Sequence, residues 1–158
     1  MNALFTVLFT GARELPDPRI VGRALYNLAM HEVPDRPILV RHGACPGDTS
    51  ADHAVTDWVK ACGEWCGVTE DPTAADWDHC AAGCPRGHRR RKKPRDIHHP
   101  GLLPDYCPAA GPRRNAAMVA KMPRPDLCLA APHGASPGTR GCMKLAAAAG
   151  IPVREVTW

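Results

Sequence analysis

Cys80, Cys84, His88 and Cys107 place four soft or borderline metal-ligating side chains in one stretch of a 158-residue chain, in a C-x3-C-x3-H…C pattern. The stretch, residues 79–108, is rich in Pro, Gly, His and Arg and has no apolar period from which a core could be built. Three thiolates and one imidazole fill a tetrahedral shell and leave no position for water. The expected cofactor is therefore a structural zinc whose binding energy folds the loop locally. His98 and His99 compete with His88 as fourth ligand, and His79 is a poorer one. In a reducing, cytoplasmic setting, eight cysteines read as thiols or metal ligands rather than disulfides. Cys62, Cys66, Cys128 and Cys142 are expected on strand or helix faces as buried thiols; Cys62 and Cys66 as a second metal pair lack partners.

A second chemistry lies in three short turns: Thr10-Gly11-Ala12-Arg13, His42-Gly43-Ala44-Cys45-Pro46-Gly47-Asp48, and Pro132-His133-Gly134-Ala135-Ser136-Pro137-Gly138-Thr139. Each follows an apolar run and precedes a helical pattern. In a parallel α/β sheet such turns open on one edge, where backbone N–H groups and helix N-termini face an anion. The expected ligand carries phosphate. Thr10 offers a hydroxyl, Gly11 a close backbone approach, and Arg13 a planar fork for phosphate. His42 and Gly43 end the second run, with His42 a contact or proton donor. Asp52 either binds a ribose hydroxyl or caps a helix. Arg113, Arg114 and Asn115 stand just before a helix, with Arg114 and Asn115 directed into the crevice or, alternatively, forming a solvated cap. Ser136, Gly138 and Thr139 precede the last helix and provide both hydroxyls and open backbone. In the Asp76-Trp77-Asp78 cluster, Trp77 stacks on a base or plugs the sheet edge. An Asp there orients a ribose, serves in acid/base chemistry, or anchors a turn.

These residues need elements to hold them. Residues 4–9 form a near-continuous apolar run, read as a first strand buried on both faces rather than as a signal peptide. Ile20, Val21, Ala24, Leu25 and Leu28 recur at helical spacing, and 38–40 is a second strand. Ser50 or Asp52 starts a helix that Gly63 would end, and a weak strand follows at 66–70. After the interruption at 79–108, alternation resumes with a helix over 115–122, a strand over 127–130, a helix over 139–149 capped by Gly150, and a strand over 152–156. Five strands and four helices in alternation predict one α/β domain over 1–158. The expected architecture is an open parallel sheet covered on both faces, interrupted by the insert.

Charge is uneven. Segment 79–108 holds seven Arg or Lys and two Asp, a balance of +5, whereas the rest of the chain has thirteen basic and fourteen acidic residues. The net charge of +4 thus belongs to the insert, which argues against a general nucleic-acid-binding surface. The basic run Arg86, 89–93 and Arg95 is either a solvated tip, a positive flap over the crevice, or an arm for nucleic acid. No aromatic ladder accompanies it. No apolar stretch approaches a membrane span.

With the three turns, Ala75-Asp76-Trp77-Asp78, Ala110-Gly111-Pro112-Arg113-Arg114-Asn115 and Ser136-Pro137-Gly138-Thr139 in this order, the chain resembles the YspA-like, cpYpsA-related branch of the SLOG superfamily. That superfamily joins the Smf/DprA proteins and the Lonely Guy phosphoribohydrolases. The resemblance implies a Rossmann-like sheet with a nucleotide or nucleotide-derived ligand at the strand C-termini, pairing into a homodimer through helices, and an actinobacterial or phage setting. In the Lonely Guy enzymes a catalytic Glu follows the Gly-Thr pair by three residues. Here Pro132 and Gly138-Thr139 match, and that Glu position holds Cys142. The primary expectation is therefore a nucleotide binder. The alternatives are a nucleoside 5′-monophosphate N-glycosidase using Asp52, Asp76 or Asp78 with Arg114, and a nucleic-acid module led by the basic loop.

Overall fold

The computed structural model describes residues 2–157. Strand β1 (Phe5–Gly11) is apolar almost throughout and its inner five residues are buried, as a strand covered on both faces must be. It lies at the centre of a five-stranded sheet ordered β3-β2-β1-β6-β7. Its neighbours are β2 (Ile38–His42) and β6 (Leu127–Ala131), and β3 (Val68–Pro72) and β7 (Val153–Glu155) complete the sheet. All four pairings are parallel.

Side-chain alternation along the strands splits the core in two. Val7, Phe9, Val40 and Leu129 pack with Ile20, Val21, Leu25, Ala51 and Val55. These come from α1 (Arg19–Asn27) and α2 (Ala51–Trp58). Leu8 and Cys128 point the other way, onto Met118, Cys142 and Ala146 of α4 (Ala110–Ala120) and α5 (Pro137–Ala148). Helices therefore cover both faces, and the fold is the Rossmann-like α/β arrangement that the alternation predicts. The chain runs outward from β1 through β2 and β3, then returns to β1's other side for β6 and β7. This reversal leaves a crevice at the C-terminal ends of β1 and β6.

Several boundaries differ from the sequence expectation. α1 runs on into a wider π turn (Leu28–Glu32). Gly63 does not end a helix: α2, a π turn (Val59–Gly63) and α3 (Glu64–Cys66) form one continuous helical stretch, which stops at Gly67 with φ +69°. Gly63 is needed for space instead, since a Cβ there would lie 2.6 Å from the Val68 carbonyl oxygen. α4 begins at Ala110, so Arg113, Arg114 and Asn115 lie within it, not ahead of it. Pro112 is tolerated because first-turn N–H groups have no intrahelical acceptor. The insert contains a short antiparallel ribbon of β4 (Arg90–Arg91) and β5 (Asp105–Tyr106). Cys128 and Cys142 are buried as expected, but Cys62 and Cys66 are only half-buried on the outer helical stretch.

One buried cation escapes sequence reasoning. Arg41 on β2 is fully buried. Its Nε donates to Asp71 (2.8 Å), Nη1 to the carbonyls of Met118 and Lys121 (both 2.9 Å), and Nη2 to that of Pro123 (3.1 Å). It thereby satisfies the carbonyls that the C-terminal end of α4 leaves open and ties that end to β2 and β3. Asp71 also binds Lys121 at 2.7 Å. Burial opposes ionisation of Asp71, but the two cations prevail and hold its carboxyl below the usual range.

A candidate ligand crevice beside a candidate metal centre

The crevice encloses about 960 Å³. Its floor is the sheet edge: Thr10 to Glu14 at and beyond the end of β1, Gly43 to Pro46 after β2, and His133 with Ser136 to Thr139 after β6. Arg114, Asn115 and Met118 of α4 and Asp52 of α2 also line it. The insert closes one side with Arg90, His98, His99 and Tyr106. Of the readings for the basic run, this favours a flap: Arg90 lines the crevice, while Arg89 turns inward onto Asp105 (2.9 Å) and the Asp78 carbonyl.

Each turn is built by packing. Gly11 has no room for a side chain, because a Cβ there would lie 2.3 Å from that of Ala51. Its smallness lets the start of α2 approach, so the close approach predicted for a ligand is made first by a helix. The Ala12 carbonyl then accepts from Ala51 N–H at 3.1 Å. Among the described residues, Ala44 and Ser136 are two of the three non-glycine residues with positive φ, at 53° and 40°. Both line the crevice, and such strain concentrates where geometry is imposed by function. Ser136 precedes α5 without capping it by a side-chain hydrogen bond; its hydroxyl donates instead to Thr139 Oγ1 (3.1 Å). The N-terminal end of α5 therefore faces the crevice, with its helix dipole favouring negative charge.

Arg114 and Asn115 knit these turns together. Arg114 donates through Nε to Asn115 Oδ1 (2.9 Å) and through Nη1 to the Gly43 carbonyl. Asn115 Nδ2 donates to the Gly138 carbonyl (3.2 Å). Gly43 leaves room for this contact, since a Cβ there would lie 2.4 Å from Arg114 Nη1 and displace the guanidinium. Beneath it, the Asp52 carboxylate accepts from Cys45 N–H at 3.0 Å. Burial raises the pKa of Asp52, against the pull of His42, Arg114 and the backbone donors. Burial, then Asp52, also raises the Cys45 thiol, which therefore stays protonated at neutral pH.

The remaining predicted crevice residues do other work. His42 is buried, with Nε2 on Glu70 (2.8 Å) and Nδ1 accepting from Ala44 N–H (3.1 Å). Its ring shapes the turn from below and does not line the crevice. Asp76 is exposed and pairs with His79 (2.9 Å). Asp78 accepts from the N–H groups of Leu102 (2.7 Å) and Leu103 (3.2 Å). Neither carboxylate lines the crevice, so of the three Asp candidates only Asp52 is in place. Trp77 does not plug a sheet edge: it is buried against Cys107 and Ala110 in a small separate core, and from there it also lines the crevice, as expected for that residue. Cys142 faces inward from α5, its thiol raised by burial and hydrogen-bonded to Thr10.

Cys80, Cys84, His88 and Cys107 converge until all four ligand atoms lie within 4.8 Å of one another. Cys84 and Cys107 Sγ are 3.8 Å apart, and His88 Nε2 is 3.2 Å from Cys80 Sγ and 3.4 Å from Cys107 Sγ. A tetrahedral zinc requires about 3.8 Å between sulfurs and about 3.5 Å between sulfur and nitrogen. The set fits and can hold a metal ion. His98 and His99 are not in it, and His79 is on Asp76. Arg113, next to the crevice residue Arg114, donates to Cys84 and Cys107 Sγ (both 3.5 Å) and to the His79 carbonyl (2.8 Å). Arg89 donates to Cys80 Sγ at 3.5 Å. Burial opposes ionisation of Cys107, but the bonds from Arg113 and its neighbours prevail and bring the thiol to about 6. With a divalent ion bound, the arginines would offset the negative charge that three thiolates concentrate around it.

Among the described residues, no helix is long and apolar enough to cross a membrane. No family model matches the chain, and no solved structure matches it. It is 33% identical over 147 residues to the Gene 61 protein of Mycobacterium phage D29, covering 93% of this chain and 92% of that one.

Proposed function

The chain belongs to the family of that phage protein, and we propose that it binds a nucleotide or nucleotide-derived ligand in the crevice, as a member of the SLOG superfamily. The observation that carries this reading is the meeting of three turns at the switch point of a parallel sheet, with the α5 N-terminus and Arg13 both lining the crevice. Phosphate oxygens take the N–H groups of the first turn of α5, flanked by Ser136 and Thr139, and Arg13 supplies charge. Zinc in the Cys3His set is structural: all four positions are protein ligands, so it holds the insert as a positive wall and has no open site for chemistry.

The test is equilibrium binding of AMP, ADP, ATP and ADP-ribose to the purified protein. Binding of one of them, weakened about tenfold or more by Thr139→Ala and by Arg13→Ala with unchanged circular dichroism, is the expected result. No binding of any, or equal binding by both variants, overturns the site. One observation favours a second reading as an N-glycosidase: Asp52 is a buried carboxyl with a raised pKa at the crevice floor. Mass spectrometry decides this. Free base and ribose 5-phosphate released from a nucleoside 5′-monophosphate, and lost in Asp52→Asn, mark an enzyme.

A further inference from the structure

His98 and His99 compete as metal ligands when only sequence is considered; the fold assigns both to the crevice wall. They sit in a turn organised by Asp96. Asp96 Oδ1 accepts from the N–H groups of His98 (2.9 Å) and His99 (3.2 Å), and Oδ2 pairs with His99 Nδ1 (2.8 Å). The His99 ring is fixed twice more: it stacks on Tyr106 with centroids 3.7 Å apart and planes within 9°, and meets Trp77 edge-on at 4.6 Å. A ring held this firmly, in the loop between β4 and β5, is set in one orientation.

The hydrogen-bonding roles of the two rings follow from their surroundings. With Nδ1 against the Asp96 carboxylate, neutral His99 carries its proton on Nδ1 and offers Nε2 as an acceptor. His98 is the reverse case. Its Nδ1 is buried with no hydrogen-bond partner. A buried lone pair without a donor is tolerated better than a buried N–H without an acceptor. The proton therefore sits on Nε2, the ring atom that is not sealed in. Four groups act on His98: Arg13, Glu14, Asp96 and His99. Burial and then Arg13 are the largest influences and favour the neutral ring. Arg13 is thus close enough to His98 to act on the same bound group.

We propose that His98 and His99 are ligand-binding residues of the crevice: His98 Nε2–H, together with Arg13, takes an anionic oxygen of the phosphate, and His99 Nε2, oriented by Asp96, accepts from a ligand hydroxyl such as that of a ribose. This rests on the nucleotide-binding reading and adds to it that the insert recognises the ligand directly. The metal set then has a purpose beyond stability, because it anchors the wall that carries both imidazoles. Arg113 and Arg114, adjacent on α4, join the two sites: one reaches the thiols, the other the Gly43 carbonyl in the crevice floor.

Two measurements on the zinc-loaded protein test this. First, the imidazole nitrogens are followed by NMR during titration with inorganic pyrophosphate, using His98→Ala and His99→Ala for assignment. The His98 signals shift saturably, and the shift is lost in Arg13→Ala. Second, affinity for whichever of AMP, ADP, ATP or ADP-ribose binds is measured in the same variants, with metal content in parallel. His98→Ala weakens binding about tenfold, His98→Gln, which keeps an N–H near the Nε2 position, retains most of it, and His99→Ala weakens a ribonucleotide more than its 2′-deoxy counterpart. All retain one equivalent of metal. If pyrophosphate leaves His98 unmoved, or nucleotides bind both Ala variants as they bind wild type, the inference fails while the nucleotide-binding reading stands. If wild type binds no nucleotide, both fail. Loss of metal in His98→Ala or His99→Ala overturns the assignment of these rings to the crevice.

Discussion

Replacing Cys107 by Ser removes one thiolate from the metal set and nothing from the sheet. Structural zinc in small domains is worth about 10–16 kcal/mol of apparent binding free energy at neutral pH. Shared over four ligands, that is about 2.5–4 kcal/mol each, or about 100- to 1000-fold in affinity. Cys107 also sits at the centre of the insert: it is fully buried, its N–H donates to the Trp77 carbonyl at 2.8 Å, and it packs with Trp77 and Ala110. The clusters that hold the sheet contain none of these residues. The effect is therefore local. Dialysis against a chelator of intermediate strength strips Cys107→Ser and leaves wild type loaded, as read by elemental analysis. Tryptophan emission, to which Trp77 contributes with three other indoles, then shifts toward that of a solvated indole, and the shift is absent in Trp77→Phe. Trypsin cuts the metal-free variant within residues 86–95, which carry seven basic side chains, while the far-UV spectrum of the sheet and helices persists. Equal metal retention by wild type and variant, or an insert equally resistant to trypsin with and without metal, refutes the reasoning that a metal folds this loop.

Arg41→Met leaves three helix-end carbonyls and Asp71 short of their buried donor. It should cost about 3–5 kcal/mol in urea unfolding, and a loss below about 1 kcal/mol contradicts the role given to Arg41. Asp52→Asn tests the raised carboxyl: a folded pKa above the usual 3.8 contributes stability that is present below the unfolded pKa and lost as pH rises through the folded one. At pH 7 the ionised group is a cost, so Asp52→Asn raises Tm there, and the advantage shrinks as pH falls toward 4. A Tm gain that is the same at both pH values rules out that origin. Gly43→Ala forces Arg114 off the Gly43 turn and should weaken ligand binding more than it lowers Tm; unchanged affinity shows that the Arg114 contact does not shape the crevice.

What could be read from the residues in order was whatever depends on local pattern. The apolar run of β1, the spacing of Ile20, Val21 and Leu25, and the recurrence of strand, turn and helix imply a parallel sheet covered on both faces, and the fold has it. The C-x3-C-x3-H spacing with Cys107 identifies four residues that do converge, because ligand type and spacing already restrict what a short loop can close around. Placement of individual side chains depended on partners far along the chain. Arg41, in the middle of a strand, is paid no attention by any local pattern, since its acceptors lie on β3 and at the end of α4, 30 to 82 residues away. His42 and Asp52, both close to a glycine turn, separate in role because Glu70 takes one ring and leaves the other carboxyl facing the crevice. Arg113 and Arg114 are adjacent and alike in sequence, yet a helix turns successive residues about 100° apart, so one reaches the thiols and the other the Gly43 turn of the crevice. His88, His98 and His99 are chemically equal candidates as fourth ligand, and only the fold of the insert, with His88 just ahead of β4 and the other two in the loop between β4 and β5, brings His88 to the sulfurs and the others to the crevice. Residue type set which chemistries the chain can perform, and long-range packing decided which copy of each residue performs them.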